Sequence, residues 1–184
     1  MRYIAVPLIL FGISLAPGLS AAAPREARIV EIRGHVKGEN AFVNFQLRNA
    51  FTPEMVEALK SGIEISFRTQ VKVERVHRNW FDVTVGDLTV SRSVRYDALS
   101  RVYRLKRSDG EKLLPDIFSA LDGMTRYEVV VPLRISAIPG RRYRAVVRTR
   151  LDRVGLSEPL RSIIFFSSVW DVETDWGKGS LASP

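Results

Sequence analysis

The stretch Phe51–Arg75, FTPEMVEALKSGIEISFRTQVKVER, changes its hydrophobic period once and without a break. Its first third repeats at helical spacing and the remainder alternates with period two, so it must form two elements in direct succession. Thr52 suits a helix N-cap, and Pro53 suits the first helical position, where a missing N–H costs nothing. Phe51, just before the cap, is placed to staple onto Val56. Met55, Val56 and Leu59 share a face, with Glu54 and Glu57 toward the positive end of the helix and Lys60 toward the negative end. Gly62 supplies the left-handed residue that stops the helix. From there Ile63, Ile65, Phe67, Thr69, Val71 and Val73 alternate with Glu64, Ser66, Arg68, Gln70, Lys72 and Glu74, the pattern of a strand with one buried and one wet face. At about 3.3 Å per residue such a strand crosses a whole domain.

The rest of the chain repeats the strand pattern. Val30–Lys37 and Val43–Arg48 alternate around the turn Gly38-Glu39-Asn40 and predict a hairpin. Asn79–Asp82 reads as a corner, followed by short strands at Val83–Val85 and Leu88–Tyr96 on either side of a Gly86-Asp87 turn. A strand around Tyr103–Arg107 ends at the turn Ser108-Asp109-Gly110. Pro115 opens a second short helix, with Ile117, Phe118 and Leu121 on one side and Gly123 as its stop. Tyr127–Ile135 and Tyr143–Leu151 alternate on either side of Pro139-Gly140, and Leu160–Trp170 is apolar on both faces. Without a β-α-β rhythm, the expected fold is mainly β: an antiparallel β-sandwich of about eight or nine strands with two short helices, about 52–61 and 115–122. Residues 23–176 form one domain in this reading, and 177–184 a loose polar tail.

The N-terminus stands apart. Arg2, the apolar run Ile4–Leu15 and the small residues Ser20-Ala21-Ala22 have the form of a signal peptide, 1–22, cleaved after Ala22. The expected location is periplasmic, the alternative being a retained inner-membrane anchor. With no cysteine in 184 residues, a lipoprotein anchor, a disulfide framework and thiolate metal sites are excluded. A chain that is 46% apolar and 26% charged can build a core without them. The formal charge is +8, and removing Arg2 leaves 27 basic against 20 acidic residues, or +7. Outside the cytoplasm that charge favours anionic lipid head groups, lipopolysaccharide or an acidic protein face over nucleic acid. The plainest account of it is a soluble protein from an arginine-rich proteome.

Chemistry-bearing constellations are scarce. His35 and His77, the only histidines, lie far apart and lack the carboxylate spacing of a metal site. There is no G-x-S-x-G elbow, and Gly177-Lys178-Gly179 lacks the strand and helix of a phosphate loop. Asp171, Glu173 and Asp175 open like a calcium loop, but Trp176 and Ala182 occupy positions that need glycine and a carboxylate. No enzyme, cofactor or metal is expected; an enzyme built on His77 with Asp82 or Asp87 is the weakest of three readings. The strongest exposed feature is a stripe of Arg142, Arg144, Arg148 and Arg150 on one face of Tyr143–Leu151. Either acidic residues such as Glu128 pair with it across strands, or it guards a sheet edge, or it binds an anion or partner. Trp80, Trp170 and Trp176, with Phe165 and Phe166, read as core or lid packing.

Taken together, FTPEMVEALKSGIEISFR, RNWFD, YDALSRVYRL, YRAVVRTRLD and FSSVWDVETDW resemble the bacterial exported family known as domain of unknown function 4390, over roughly Ala27 to Trp176. The resemblance implies a single exported β-rich domain with no catalytic residues to carry over. It also implies an accessory role beside a membrane sensor kinase. The expected function is therefore a non-enzymatic envelope binding domain, with a carrier or sensor of an anionic lipid or glycan, held between two sheets, as the alternative.

Overall fold

The computed structural model of the protein describes residues 26–152 and 172–183. Among these residues are nine strands and two helices: β1 (Arg28–Lys37), β2 (Asn40–Arg48), α1 (Pro53–Lys60), β3 (Ile65–Val76), β4 (Val83–Asp97), β5 (Val102–Arg107), β6 (Gly110–Leu114), α2 (Ile117–Thr125), β7 (Arg126–Pro132), β8 (Arg142–Leu151) and β9 (Gly177–Leu181). They form two antiparallel sheets, β1-β2-β7 and β6-β5-β4-β3-β8-β9. The expected β-sandwich with two helices is the fold observed.

β3 is its spine, paired along its length with β4 on one side and β8 on the other. Ile65, Phe67, Thr69, Val71 and Val73 are all buried, as the alternation requires. Opposite them stand Val43, Phe45 and Leu47 of β2 and Tyr127 and Val131 of β7. Burying each large apolar side chain contributes about 1.5–3 kcal/mol, so this layer dominates stability. Thr69 and Thr149 satisfy each other inside it at 2.8 Å.

α1 closes one end, burying Met55 and Leu59. Thr52 accepts from the Met55 amide, and Phe51 sets its ring edge-on against Phe67, 5.2 Å between centroids. At the far end of the helix Gly62 has φ 86°, its amide bonds to Leu59 and the Ile63 amide bonds to Ala58. This reciprocal pair satisfies the last carbonyls and delays the strand to Ile65.

Several sequence expectations need correction. Gly86-Asp87 is not a turn: β4 runs through it, with Val85 as an extra residue between the pairs Val73–Gly86 and Glu74–Thr84. The second helix is 117–125 rather than 115–122, because Asp116 caps it, accepting from the Ser119 amide at 2.9 Å. Gly123 lies within that helix against Leu105 and is not its stop. Phe118, placed on the apolar face by sequence, is 80% exposed, and Ala120 and Met124 are buried instead. β6 was unforeseen, and the tail expected to be loose contains β9, which pairs with β8. The Leu160–Trp170 strand, the signal peptide and Phe165, Phe166 and Trp170 lie outside the described residues.

β9 also joins the two sheets. The Val36 amide of β1 donates to Ala182, and the Ala182 amide donates to Gly34. An added Cβ at Gly179 would lie 2.4 Å from the Ile32 carbonyl oxygen, so the bare backbone is what lets β9 press against β1. At the opposite edge the Arg134 amide donates to Val85, while Gly86 bridges Leu133.

Candidate functional site

Period two sends Arg142, Arg144, Arg148 and Arg150 to the outer face of β8, and the sheet order decides what each meets. β8 lies between β3 and β9, one strand in from the edge of the six-stranded sheet, so the stripe guards no edge. Glu128 is on β7 in the other sheet and is not the partner; pairing comes from Glu74, Asp82 and Glu173.

The four arginines have different surroundings. Arg144 is held by Glu74 at 2.7 Å and by Asp82 at 2.5 Å, all three side chains about a quarter exposed. Its hydrogen bond to Glu74, foremost, raises its pKa, and the hydrogen bond from the His77 backbone amide is the main cause of the lowered pKa of Asp82. Arg148 meets Glu173 at 2.9 Å and lies 5.6 Å from the centre of the Trp176 ring, which Lys72 also overhangs at 4.9 Å. Arg142 and Arg150 are exposed and form no ion pair among the described residues. Arg150 lines a shallow groove of about 270 Å³ with Arg68, Gln70, Thr89, Arg148 and Glu173. Arg68 is paired with Asp152 at 2.9 Å. Trp176 therefore stands on the basic face and not in a core.

Two features escaped the sequence reading. Arg92, on the inner face of β4, is 8% exposed and donates to the carbonyls of Gly123 and Arg126. Burial is the main cause of its lowered pKa. Arg92 lies at a cleft of about 340 Å³ between β4 and β7, with Leu88, Val90, Val129, Arg107 and Glu128. Its only sequence signal was a charge in phase with Val90 and Val94, on the face the alternation assigns to the core. The second is the 77–82 loop, where Trp80 and Phe81 are 77% and 84% exposed, contrary to the packing role expected of Trp80.

No ion pair joins either histidine to a carboxylate among the described residues. His35 stacks on Phe42, 4.8 Å between rings. His77 meets Asp82 through its backbone amide at 3.0 Å, and Asp87 accepts from Gln70 at 3.1 Å. Among the described residues no group of three or more histidine and carboxylate side chains could hold a metal ion, and no helix is long and apolar enough to cross a membrane.

No curated protein and no solved structure matches the chain. The family model described as Domain of unknown function (DUF4390) matches residues 25–179, and the chain belongs to that family.

Proposed function

We propose that the protein is an exported, non-enzymatic binding module of the bacterial envelope, and that it engages an acidic segment of a partner protein through the outer face of its six-stranded sheet. The observation that carries this reading is Arg150, an exposed cation without an ion pair among the described residues, set in a groove beside Arg68 and Arg148. Glu173 and Asp152 hold those two neighbours in place, so an incoming carboxylate meets a pre-positioned guanidinium. Trp176 offers a flat ring beside Arg148. Export rests on the N-terminal pattern of Arg2, Ile4–Leu15 and Ser20–Ala22. A membrane sensor is the partner suggested by the family resemblance.

A photocrosslinking residue at Gln70, introduced in the native host, tests the reading. A discrete protein adduct that disappears with Arg150→Glu is expected. An adduct unchanged by that substitution, or none at all, overturns it.

The cleft beside Arg92 favours a second reading, the carrier of an anionic lipid or glycan. Apolar walls from Leu88, Val90 and Val129 and the cations Arg92 and Arg107 suit such a ligand. Native mass spectrometry of protein taken from its own envelope would show a co-purifying mass; a bare protein mass counts against the carrier.

A further inference from the structure

We propose that the end of the sandwich bearing Trp80 and Phe81 docks on the surface of an anionic bilayer. Large apolar side chains exposed at this end are Trp80 at 77%, Phe81 at 84%, Val83 at 42%, Ile135 at 43% and Ile138 at 41%. They come from two segments, the β3–β4 loop with the first residue of β4, and the β7–β8 connection. The backbone bond from Arg134 to Val85 and the register pair Val76–Arg142 bring these together.

The same two segments carry the exposed cations Arg78, Arg134, Arg141 and Arg142. The nearby acids are engaged elsewhere. Asp82 accepts from the His77 amide and pairs with Arg144, Glu74 pairs with Arg144, and Glu39 accepts from Ser136 at 3.3 Å. Four exposed arginines therefore share this end with the aromatic pair, and with Arg144, which Glu74 and Asp82 both contact, the cations outnumber the three carboxylates.

Charge complementarity and ring exposure together select the occupant. An indole and a phenyl ring this exposed have little of their surface against the body of the protein. A protein partner would need a pocket deep enough to enclose both, whereas the interfacial layer of a bilayer admits aromatic rings at the head-group level without one. Arginines around them meet lipid phosphates, and a negative leaflet attracts such a cluster. The rings are also held ready. The His77–Asp82 bond closes the loop, and Arg144 ties Asp82 to Glu74 on β3. The rings meet edge to face, 6.2 Å apart.

This docking end is distinct from the Arg150 groove, and its failure would leave the crosslinking result at Gln70 untouched. The test uses the full chain with Trp170→Phe and Trp176→Phe, so that Trp80 is the sole indole. It is mixed with vesicles of phosphatidylcholine alone or with phosphatidylglycerol, each containing a brominated acyl chain. Blue-shifted, quenched Trp80 emission is expected with phosphatidylglycerol and at low salt, and reversing Arg78 and Arg142 to glutamate should weaken it about tenfold or more. Sedimentation of Trp80→Ser/Phe81→Ser should show a comparable loss, with the thermal melt unchanged because both rings are exposed. Unquenched Trp80 on phosphatidylglycerol vesicles overturns the proposal, including the case where the chain sediments through another segment. Equal quenching on phosphatidylcholine alone overturns it too.

Discussion

The Arg92 guanidinium lies 3.8 Å from the centre of the Tyr127 ring, a cation on an aromatic face between two β-sheets. Its donors meet the carbonyls of Gly123 and Arg126, where α2 gives way to β7. Arg92 thus joins three elements, and removing it strands two acceptors. Arg92→Met should lose about 2–4 kcal/mol and Arg92→Lys less, measured by chemical denaturation. A methionine variant as stable as the parent would show that the polar contacts contribute nothing net.

The Glu74–Arg144–Asp82 cluster offers a separate prediction. Each pair is partly exposed, so solvent screens much of its attraction. Glu74→Gln and Asp82→Asn should each destabilise by less than Arg144→Gln, and a double-mutant cycle should show coupling, since both acids share one cation. Strict additivity would argue against a shared brace.

At β9 the contrast lies between neighbours. Gly179→Ala brings a Cβ against the Ile32 carbonyl oxygen, and the strand must shift at a cost of about 1–3 kcal/mol. Lys178→Ala, one residue away on the exposed side, should stay within about 0.5 kcal/mol of the parent. Thermal unfolding of the two variants, side by side, checks this.

Acid sensitivity should centre on Asp97. The Arg104 side chain first, then the Ser100 and Leu99 amides, hold this carboxyl down to about 2, from an ordinary 3.8. A lowered folded-state value means that the folded protein favours the carboxylate more than the unfolded chain does. That stabilisation is complete above about pH 4 and vanishes as the pH falls through about 2. Asp97→Asn keeps an oxygen for both amides, so it should flatten stability between those limits. A carboxyl titration by NMR with an ordinary midpoint would refute the assignment.

How much of this was legible depended on range. The buried face of β3 could be read off because Ile65 to Val73 alternate against a wet face, a signal carried within one element. The Thr52 cap and Gly62 stop were equally local. β9 was not legible: Gly-Lys-Gly-Ser-Leu has no strand period, and its conformation comes from backbone partners on β8 and from Ala182 meeting β1. Asp116 displaced Pro115 as the helix start because a carboxylate can accept the Ser119 amide, whereas proline only tolerates the position. The arginine stripe was legible as a face, but which arginine stays unpaired depends on Glu74, Asp82 and Glu173, brought in by topology. Trp80 and Phe81 carried no mark that told a packed ring from an exposed one.

The position of β9 has a consequence for the order of events during synthesis. β1 is made first, yet its Val36 amide waits for an acceptor at Ala182, and β8 likewise waits for β9. Until that short glycine-bearing strand emerges, both strands present open edges, and neither sheet is joined to the other on that side. A nascent chain therefore cannot close its sandwich on that side until its last strand has been made.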